Sequence, residues 1–447
     1  MTLRHAVVPL AGLSLAFLIA PRRSRYVVQS PLTQAELEQH LNNHTFVHIG
    51  GQHRGGTTLL WKGLSTHTAF ASHAGAAGTN AGGAASAYEL HGEGIFLQNI
   101  YPKLSLDHPP LFFVRKRLLR AACTLARSVM RSGSTAWLDE ACRLHEGIGG
   151  YGFGDAPRPP SLDVQGNHGS DQRDARHRAA VALLSQWSSH WRPDGLEKPV
   201  LLEKSPSNAV LAPWLSSVWA SASAPCKFIF VSRHPIMQAM AMRAFVDDLT
   251  MRDLVWHWLA IEEHSRRAAR ALPPGSVALA SLEALSSNPI AVVRRLFCWL
   301  GVGFNLRGPR GDAGAVAQSR SIPVGDLLAA ECAISSGDTD AHTTSPWLAT
   351  VAAQSWLASV RARPNQRYRH EYALWLASAT AGATEHAALV TDFADKVRSV
   401  SGYEHLADAE HYEDPPRRTA AWLAQWLGAT GVVQPASTHV TLLDGEN

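Results

Sequence analysis

The chain has 447 residues, room for one large or two ordinary domains. Its 46% hydrophobic and 17% charged residues exclude global disorder, and 34 Gly with 25 Pro exclude a collagen-like or low-complexity chain. The formal net charge of +4 suits anionic ligands but is too small and too spread along the chain to argue for a nucleic-acid partner.

The stretch Ala6–Ala20 (AVVPLAGLSLAFLIA) is uncharged and mostly apolar, and Arg22, Arg23 and Arg25 follow it. It falls short of the roughly 20 residues that span a bilayer and matches the core of a secretory signal. A secretory signal, a short anchor sorted to a thin early-secretory membrane and a buried helix are the three readings. The arginines after the stretch oppose an anchor with a lumenal C-terminal side, because basic residues prefer the cytoplasm. Residues 1–28 are taken as a signal or anchor segment, with the folded core beginning near Thr45. The sequon Asn43-His44-Thr45 agrees with a lumenal location.

From Thr45 onward strand and helix signals alternate. Thr45–Gly50 (TFVHIG) reads as a buried strand, then a glycine turn, then a helix from Thr57 to about Thr66. Ala69–Ala87 is rich in Ala, Gly and Ser without periodicity and reads as a loop. Leu111–Arg131 and Thr135–His145 look helical, Gly147–Gly169 is an irregular excursion, and Arg173–Trp191 is helical. Pro199–Glu203 is a short buried strand, Pro206–Ala220 a helix, Cys226–Ser232 a strand, and Pro235–Arg243 a helix begun by proline. Leu249–Leu272 is a long helix, Ser276–Ala280 a strand, and Pro289–Gly301 a helix closed by glycine. Gly308–Thr344 is loop-like, and helical signals return at Pro346–Arg361, Tyr372–Ala379 and Ala387–Val400. Strands separated by helices argue an α/β fold of three layers, a central parallel sheet flanked by helices.

Cys123, Cys142, Cys226, Cys298 and Cys332 contain no C-x-x-C pair, which argues against a cysteine zinc site and a disulfide scaffold. Cys226 and Cys298 lie in apolar stretches and read as small buried hydrophobes. The 22 histidines include no H-E-x-x-H, so no metal site is expected.

Three segments carry chemistry. Gly50-Gly51-Gln52-His53-Arg54-Gly55-Gly56-Thr57-Thr58 follows a predicted strand and opens a predicted helix, the setting of a phosphate-cradling loop. It aligns with G-x-x-x-x-G-K-[ST] from Gly51 to Thr58, except that Thr57 stands where the phosphate-gripping lysine belongs. A glycine turn without a ligand is the alternative. The strand Lys227–Ser232 ends in Arg233-His234-Pro235, where a nucleotide hydrolase would place an acidic magnesium ligand. Arginine there suits a second phosphate group; a surface arginine is the alternative. Lys204 closes the short apolar strand of Leu201-Leu202-Glu203, at the sheet edge where ligands of open α/β folds bind.

With these segments in order, the chain resembles the sulfotransferases that use 3′-phosphoadenylyl sulfate, in the branch with tyrosylprotein sulfotransferase and its bacterial and plant relatives. Gly50–Leu60 (GGQHRGGTTLL) looks like that family's 5′-phosphosulfate loop and Lys227–Ala241 like its 3′-phosphate segment. Glu203–Asn208 (EKSPSN), His91–Pro102 (HGEGIFLQNIYP), Leu254–Glu262 (LVWHWLAIE) and Asp392–Tyr403 (DFADKVRSVSGY) also look like stretches of these relatives. The chain departs from the pattern at Gly55, where a serine is usual, at Ala241, where a serine often meets the 3′-phosphate, and in the Gly/Ala-rich insertion at 71–87.

The resemblance implies a P-loop-type fold and transfer of a sulfuryl group from 3′-phosphoadenylyl sulfate, the co-substrate, to a hydroxyl acceptor. Protein tyrosine, carbohydrate and small molecules all qualify as acceptor, and no metal is required. It implies that Arg54, Gly55, Gly56, Thr57 and Thr58 bind the 5′-phosphosulfate and Arg233 the 3′-phosphate. Lys204, with Arg54, would stabilise charge on the bridging oxygen, and Glu93 would take the acceptor proton, with Glu89 and His91 in reserve. The expected division is a core over 45–306, a loop excursion at 307–345 and a C-terminal helical part over 346–430. The expected location is the secretory pathway, as a Golgi membrane protein with a lumenal catalytic domain and a single anchor; a soluble cytoplasmic chain is the alternative. Two other functions compete: a non-catalytic nucleotide-binding protein that kept the fold, and a P-loop kinase, against which Thr57 and Arg233 count.

Overall fold

The computed structural model describes residues 32–73, 93–98, 100, 169–188, 190–191, 195–243, 250–302, 347–361, 365–377, 380–404, 406, 416–418 and 440–442. In chain order the first elements are α1 (Gln34–Asn43), β1 (Thr45–Gly51), α2 (Thr57–Leu64), β2 (Phe70–Ser72) and α3 (Gly169–Ser188). Then come β3 (Val200–Lys204), α4 (Asn208–Ser221), β4 (Cys226–Ser232), α5 (Pro235–Arg243), α6 (Met251–Ala271) and β5 (Val277–Ser281). The rest are α7 (Leu282–Ser287), α8 (Pro289–Leu300), α9 (Val351–Arg361), α10 (Gln366–Ala377), α11 (Thr380–Ser401) and β6 (Val440–Leu442).

The strands form one six-stranded sheet in the order β2-β3-β1-β4-β5-β6. Every pairing is parallel. A parallel sheet is covered on both faces, which is why β1, β3, β4 and β5 read as apolar runs with little alternation. On one face Phe46, Leu201, Phe228 and Val277 meet α1, α3 and α4 in a single core. On the other, Val47, Leu202, Ile229 and Ala278 meet α2, α8 and α9. A third cluster joins α5 and α6 to α10 and α11 around Trp258 and Tyr372.

The α/β class and the central parallel sheet flanked by helices are therefore as read from the pattern. Several elements differ. Phe70–Ser72 is a strand inside the stretch read as a loop: at three residues, paired on one side to β3, it is too short to show periodicity. α1 precedes the expected start of the core, and Leu37 and Leu41 are buried beneath it, so the core starts before Thr45. Its start is marked by a capping box, Thr33 with Glu36. α7 follows β5 directly, Ser281 serving as both last strand residue and N-cap. α10 starts at Gln366 and α11 at Thr380, earlier than their apolar residues suggest. β6 adds a strand beyond residue 430.

Cys226 is half-buried and free. Cys298, read as a simple buried hydrophobe, is only half-buried and is disulfide-bonded. The expected features at Ala6–Ala20, Leu111–Arg131, Thr135–His145 and Gly308–Thr344, and the excursion at 147–168, lie outside the described residues. Cys123, Cys142 and Cys332 do too. Among the described residues, no helix is long and apolar enough to cross a membrane.

Candidate active site

β3, β1 and β4 are neighbours, and their C-terminal ends sit side by side: Lys204 pairs with Ile49, and Gly51 with Val231. α2 leaves β1 toward one face of the sheet while α4 leaves β3 toward the other. Diverging connections of this kind open a crevice at the strand ends, the place where α/β sheets bind ligands.

The loop after β1 is closely tied down. Gly55 N–H donates to the Gln52 carbonyl at 2.9 Å, closing a turn, so this amide points into the loop and not outward. Arg54 takes the left-handed conformation, φ 63°, and its side chain is exposed. Gly56 caps α2 with φ 100°, and a Cβ there would lie 2.8 Å from Leu282 Cδ1. Gly56, Thr57 and Thr58 begin α2, whose first N–H groups have no carbonyl a turn behind them and carry the positive end of the helix dipole. This suits an anion.

Three side chains hold the loop from outside. Gln238 of α5 donates to the His53 carbonyl at 2.8 Å. Gln52 donates to Glu262 Oε1 at 2.9 Å. Arg233 Nη1 donates to the Arg54 carbonyl at 3.0 Å. Arg233 is only 4% exposed; its Nε donates to Asn365 Oδ1 at 2.7 Å and its guanidinium lies 4.9 Å from the Tyr368 ring centre. Asn365 in turn donates to Glu283 Oε1 at 2.8 Å, and Tyr403 O–H donates to Glu283 Oε2 at 2.5 Å. Burial raises the Glu283 pKa above its ordinary value despite these donors, and burial lowers that of Arg233. Ala241 is fully buried.

At β3, Lys204 Nζ meets Glu93 Oε1 at 2.7 Å, with the lysine side chain fully buried and the glutamate 17% exposed. Glu93 is the N-cap of a short 3-10 turn, Gly94–Leu97. The preceding residue of the strand, Glu203, accepts four hydrogen bonds: Gly94 N–H and Ser205 O–H on Oε1, His48 and Asn208 Nδ2 on Oε2. Burial pushes the Glu203 carboxyl up, but these donors outweigh it and leave its pKa below the ordinary value.

The structure thus brings Arg54, Gly55, Gly56, Thr57, Thr58, Arg233, Lys204 and Glu93 to one edge of the sheet. Glu89 and His91 lie outside the described residues. Sequence reasoning missed His48, Gln238, Glu283 and Asn365, and read Glu203 only as part of a motif. A buried carboxylate at a strand end was the one available signal. The stretches that carried the resemblance converge here: Trp258 Nε1 donates to the Arg233 carbonyl at 2.9 Å, Glu262 holds Gln52, and Tyr403 holds Glu283. Among the described residues, no group of three or more His, Cys, Asp or Glu could hold a metal ion.

No protein-family model matches the chain, and no curated protein does. Among the solved structures that align with it are the sulfotransferase domain from the Synechococcus PCC 7002 olefin synthase and the sulfotransferase domain from the curacin biosynthetic pathway. The first is 14% identical, with 72% of this chain and 94% of that one covered at a TM-score of 0.32. The second is 15% identical, with 71% and 97% covered at a TM-score of 0.30. Scores at this level assign no family. They carry no residue role over to this chain.

Proposed function

We propose that the chain is a sulfotransferase that moves a sulfuryl group from 3′-phosphoadenylyl sulfate to a hydroxyl acceptor. The observation that carries the reading is the contact of Lys204 with Glu93 at 2.7 Å, at the strand end beside the glycine loop. A cation and a carboxylate held together are what a transfer between two oxygens needs. When bound, the donor supplies a neutral SO₃ unit and its bisphosphate leaves with added negative charge. Glu93 takes the acceptor proton, an effect usually worth about 10²–10⁴-fold in rate. Lys204 meets charge developing on the bridging oxygen, helped by Arg54, the amides of Gly56–Thr58 and the α2 dipole. Arg233 lies on the far side of the loop and receives the 3′-phosphate.

The test is incubation with radiolabelled donor and pooled acceptors: peptides containing tyrosine, carbohydrates, and small or lipid alcohols. Label in one class is expected, with Glu93→Gln cutting turnover about 100-fold or more and leaving donor affinity unchanged. Binding of the 3′,5′-bisphosphate without transfer would favour a non-catalytic nucleotide-binding protein, and magnesium-dependent triphosphate hydrolysis a P-loop kinase-like enzyme.

The proposed location remains the secretory pathway, with residues 1–28 as signal or anchor and the catalytic part lumenal. The disulfide at Cys298 supports an oxidising compartment. So does Asn43, the sequon asparagine, which is exposed at the last position of α1. Expression with residues 1–28 in a eukaryotic secretory host should give a glycosidase-sensitive mass at Asn43; an unmodified chain in the cytosolic fraction would refute the assignment.

A further inference from the structure

Glu203 and Lys204 are consecutive strand residues, and they grip two consecutive residues of another segment. Lys204 donates to the Glu93 side chain, while Glu203 accepts the N–H of Gly94 at 2.9 Å. The grip continues through Ser205, whose hydroxyl donates to Glu203 at 2.6 Å and accepts the Ile95 N–H at 3.1 Å. From the other side, Trp187 Nε1 donates to the Gly94 carbonyl at 2.9 Å. The approach is so close that a Cβ on Gly94 would stand 2.5 Å from Glu203 Cγ. Only glycine fits there.

The other oxygen of Glu203 is equally fixed. Trp219 Nε1 lies 2.8 Å from His48 Nε2, and an indole N–H can only donate. His48 Nε2 is therefore the acceptor, and Nδ1 carries the proton that points at Glu203 Oε2, 3.0 Å away. Asn208 Nδ2 adds a donor at 2.6 Å. All four groups around the carboxylate donate to it, and the Gly94 N–H and the His48 Nδ1–H can do nothing else. A buried anion is costly to keep, and an apolar side chain of similar volume often stabilises a core as well or better. What the anion supplies is geometry, since hydrogen bonds to a charged acceptor are shorter and stronger than neutral ones.

We infer that Glu203 is a positioning residue, which by clamping the Gly94 amide sets the peptide that carries Glu93 in register with Lys204. This rests on the reading of Glu93 as the base. The rate of transfer depends on Glu203, and donor binding does not, because the loop of residues 52–58 is held by Gln238, Arg233 and Glu262 instead.

The experiment compares wild type, Glu203→Gln, Glu93→Gln and the double variant in three measurements: turnover, calorimetric affinity for 3′,5′-bisphosphate, and amide hydrogen exchange. In Glu203→Gln the new N–H₂ meets an N–H that can only donate whichever way it faces, that of Gly94 on one side or that of His48 on the other. Exchange at Gly94–Leu97 should rise about tenfold or more with residues 52–58 unchanged. Turnover should fall about 10–100-fold, the scale of a misplaced catalytic group, with bisphosphate affinity within about twofold of wild type. In the Glu93→Gln background the same substitution should cost nothing further. An undiminished loss in that background, or unchanged exchange at 94–97, overturns the inference. If Glu203→Gln does not fold, Ser205→Ala removes the Ile95 arm of the clamp and one of the four donors to Glu203, and leaves the Gly94 arm in place. It should give a smaller loss of the same kind, and unaltered exchange and turnover there would also overturn the inference. A wild-type chain that binds bisphosphate and transfers nothing sinks the proposed function; the exchange data then decide the clamp separately.

Discussion

At the scale of single residues, the site depends on how its buried charges are partnered. Arg233 has its Nε and Nη1 engaged by Asn365 and the Arg54 carbonyl before any ligand arrives, so the guanidinium is oriented in advance. Losing a charge-assisted hydrogen bond costs about 1.5–3 kcal/mol. Arg233→Ala should weaken the 3′,5′-bisphosphate by that amount and barely affect a ligand lacking the 3′-phosphate; equal losses in calorimetry would show the residue is misassigned. The two buried carboxylates act oppositely with pH. Glu203 has its pKa lowered in the fold, so its contribution is full above the ordinary value of 4.5 and is lost as pH falls through the lower folded value. Glu283 has its pKa raised, so its contribution is greatest below 4.5 and declines as pH rises through the folded value. Urea midpoints measured downward from pH 5 should therefore fall more gently in Glu203→Gln than in wild type, and more steeply in Glu283→Gln. A common slope for all three would contradict the assignment.

At the scale of elements, α2 shows how a loop and a helix are made to meet. Its N-cap Gly56 has no side-chain cap, sits at φ 100°, and runs against Leu282 at the start of α7. A side chain there would meet both backbone strain and a fixed neighbour. Gly56→Ala should lower stability by about 1 kcal/mol or more and weaken bisphosphate binding as the N-terminal amides shift. Unchanged unfolding and affinity would mean the loop relaxes freely. α6 is the brace opposite: Trp258 and Glu262, one turn apart, hold the end of β4 and the start of the glycine loop from a single helix face.

At the scale of the whole molecule, α1 belongs to the main core. Leu37 and Leu41 are buried against α3 and the sheet, each worth about 1.5–3 kcal/mol. Deleting residues 1–28 should leave thermal melting unchanged, whereas deleting 1–44 should lower it markedly. Equal melting of the two truncations would place α1 outside the cooperative unit. The C-terminal helices are tied in as firmly: Asn365 and Tyr403 both bind Glu283, which follows β5. The third core cluster, around Trp258 and Tyr372, joins α10 and α11 to α5 and α6. A chain cut before α9 should lose Arg233 orientation and bisphosphate affinity together.

The sequence by itself determined the parallel sheet and the cationic character of its edge. Apolar runs such as Cys226–Ser232 mark strands covered on both faces, proline and glycine mark the limits of α5 and α8, Lys204 is the last residue of β3, and Arg233 is the first after β4. These are local signals, set by neighbours in the chain. Tertiary structure decided the partners. That His48 holds Glu203, that Asn365 reaches Arg233 across 132 positions, and that β2 and β6 are strands at all depends on contacts between distant segments. β2 and β6 are three residues each, too short for a period, and become strands only because β3 and β5 offer a free edge. A buried carboxylate costs too much to stand alone, so Glu203 at a strand end implied donors; which donors, and that one of them is the amide beside Glu93, only the folded chain could fix.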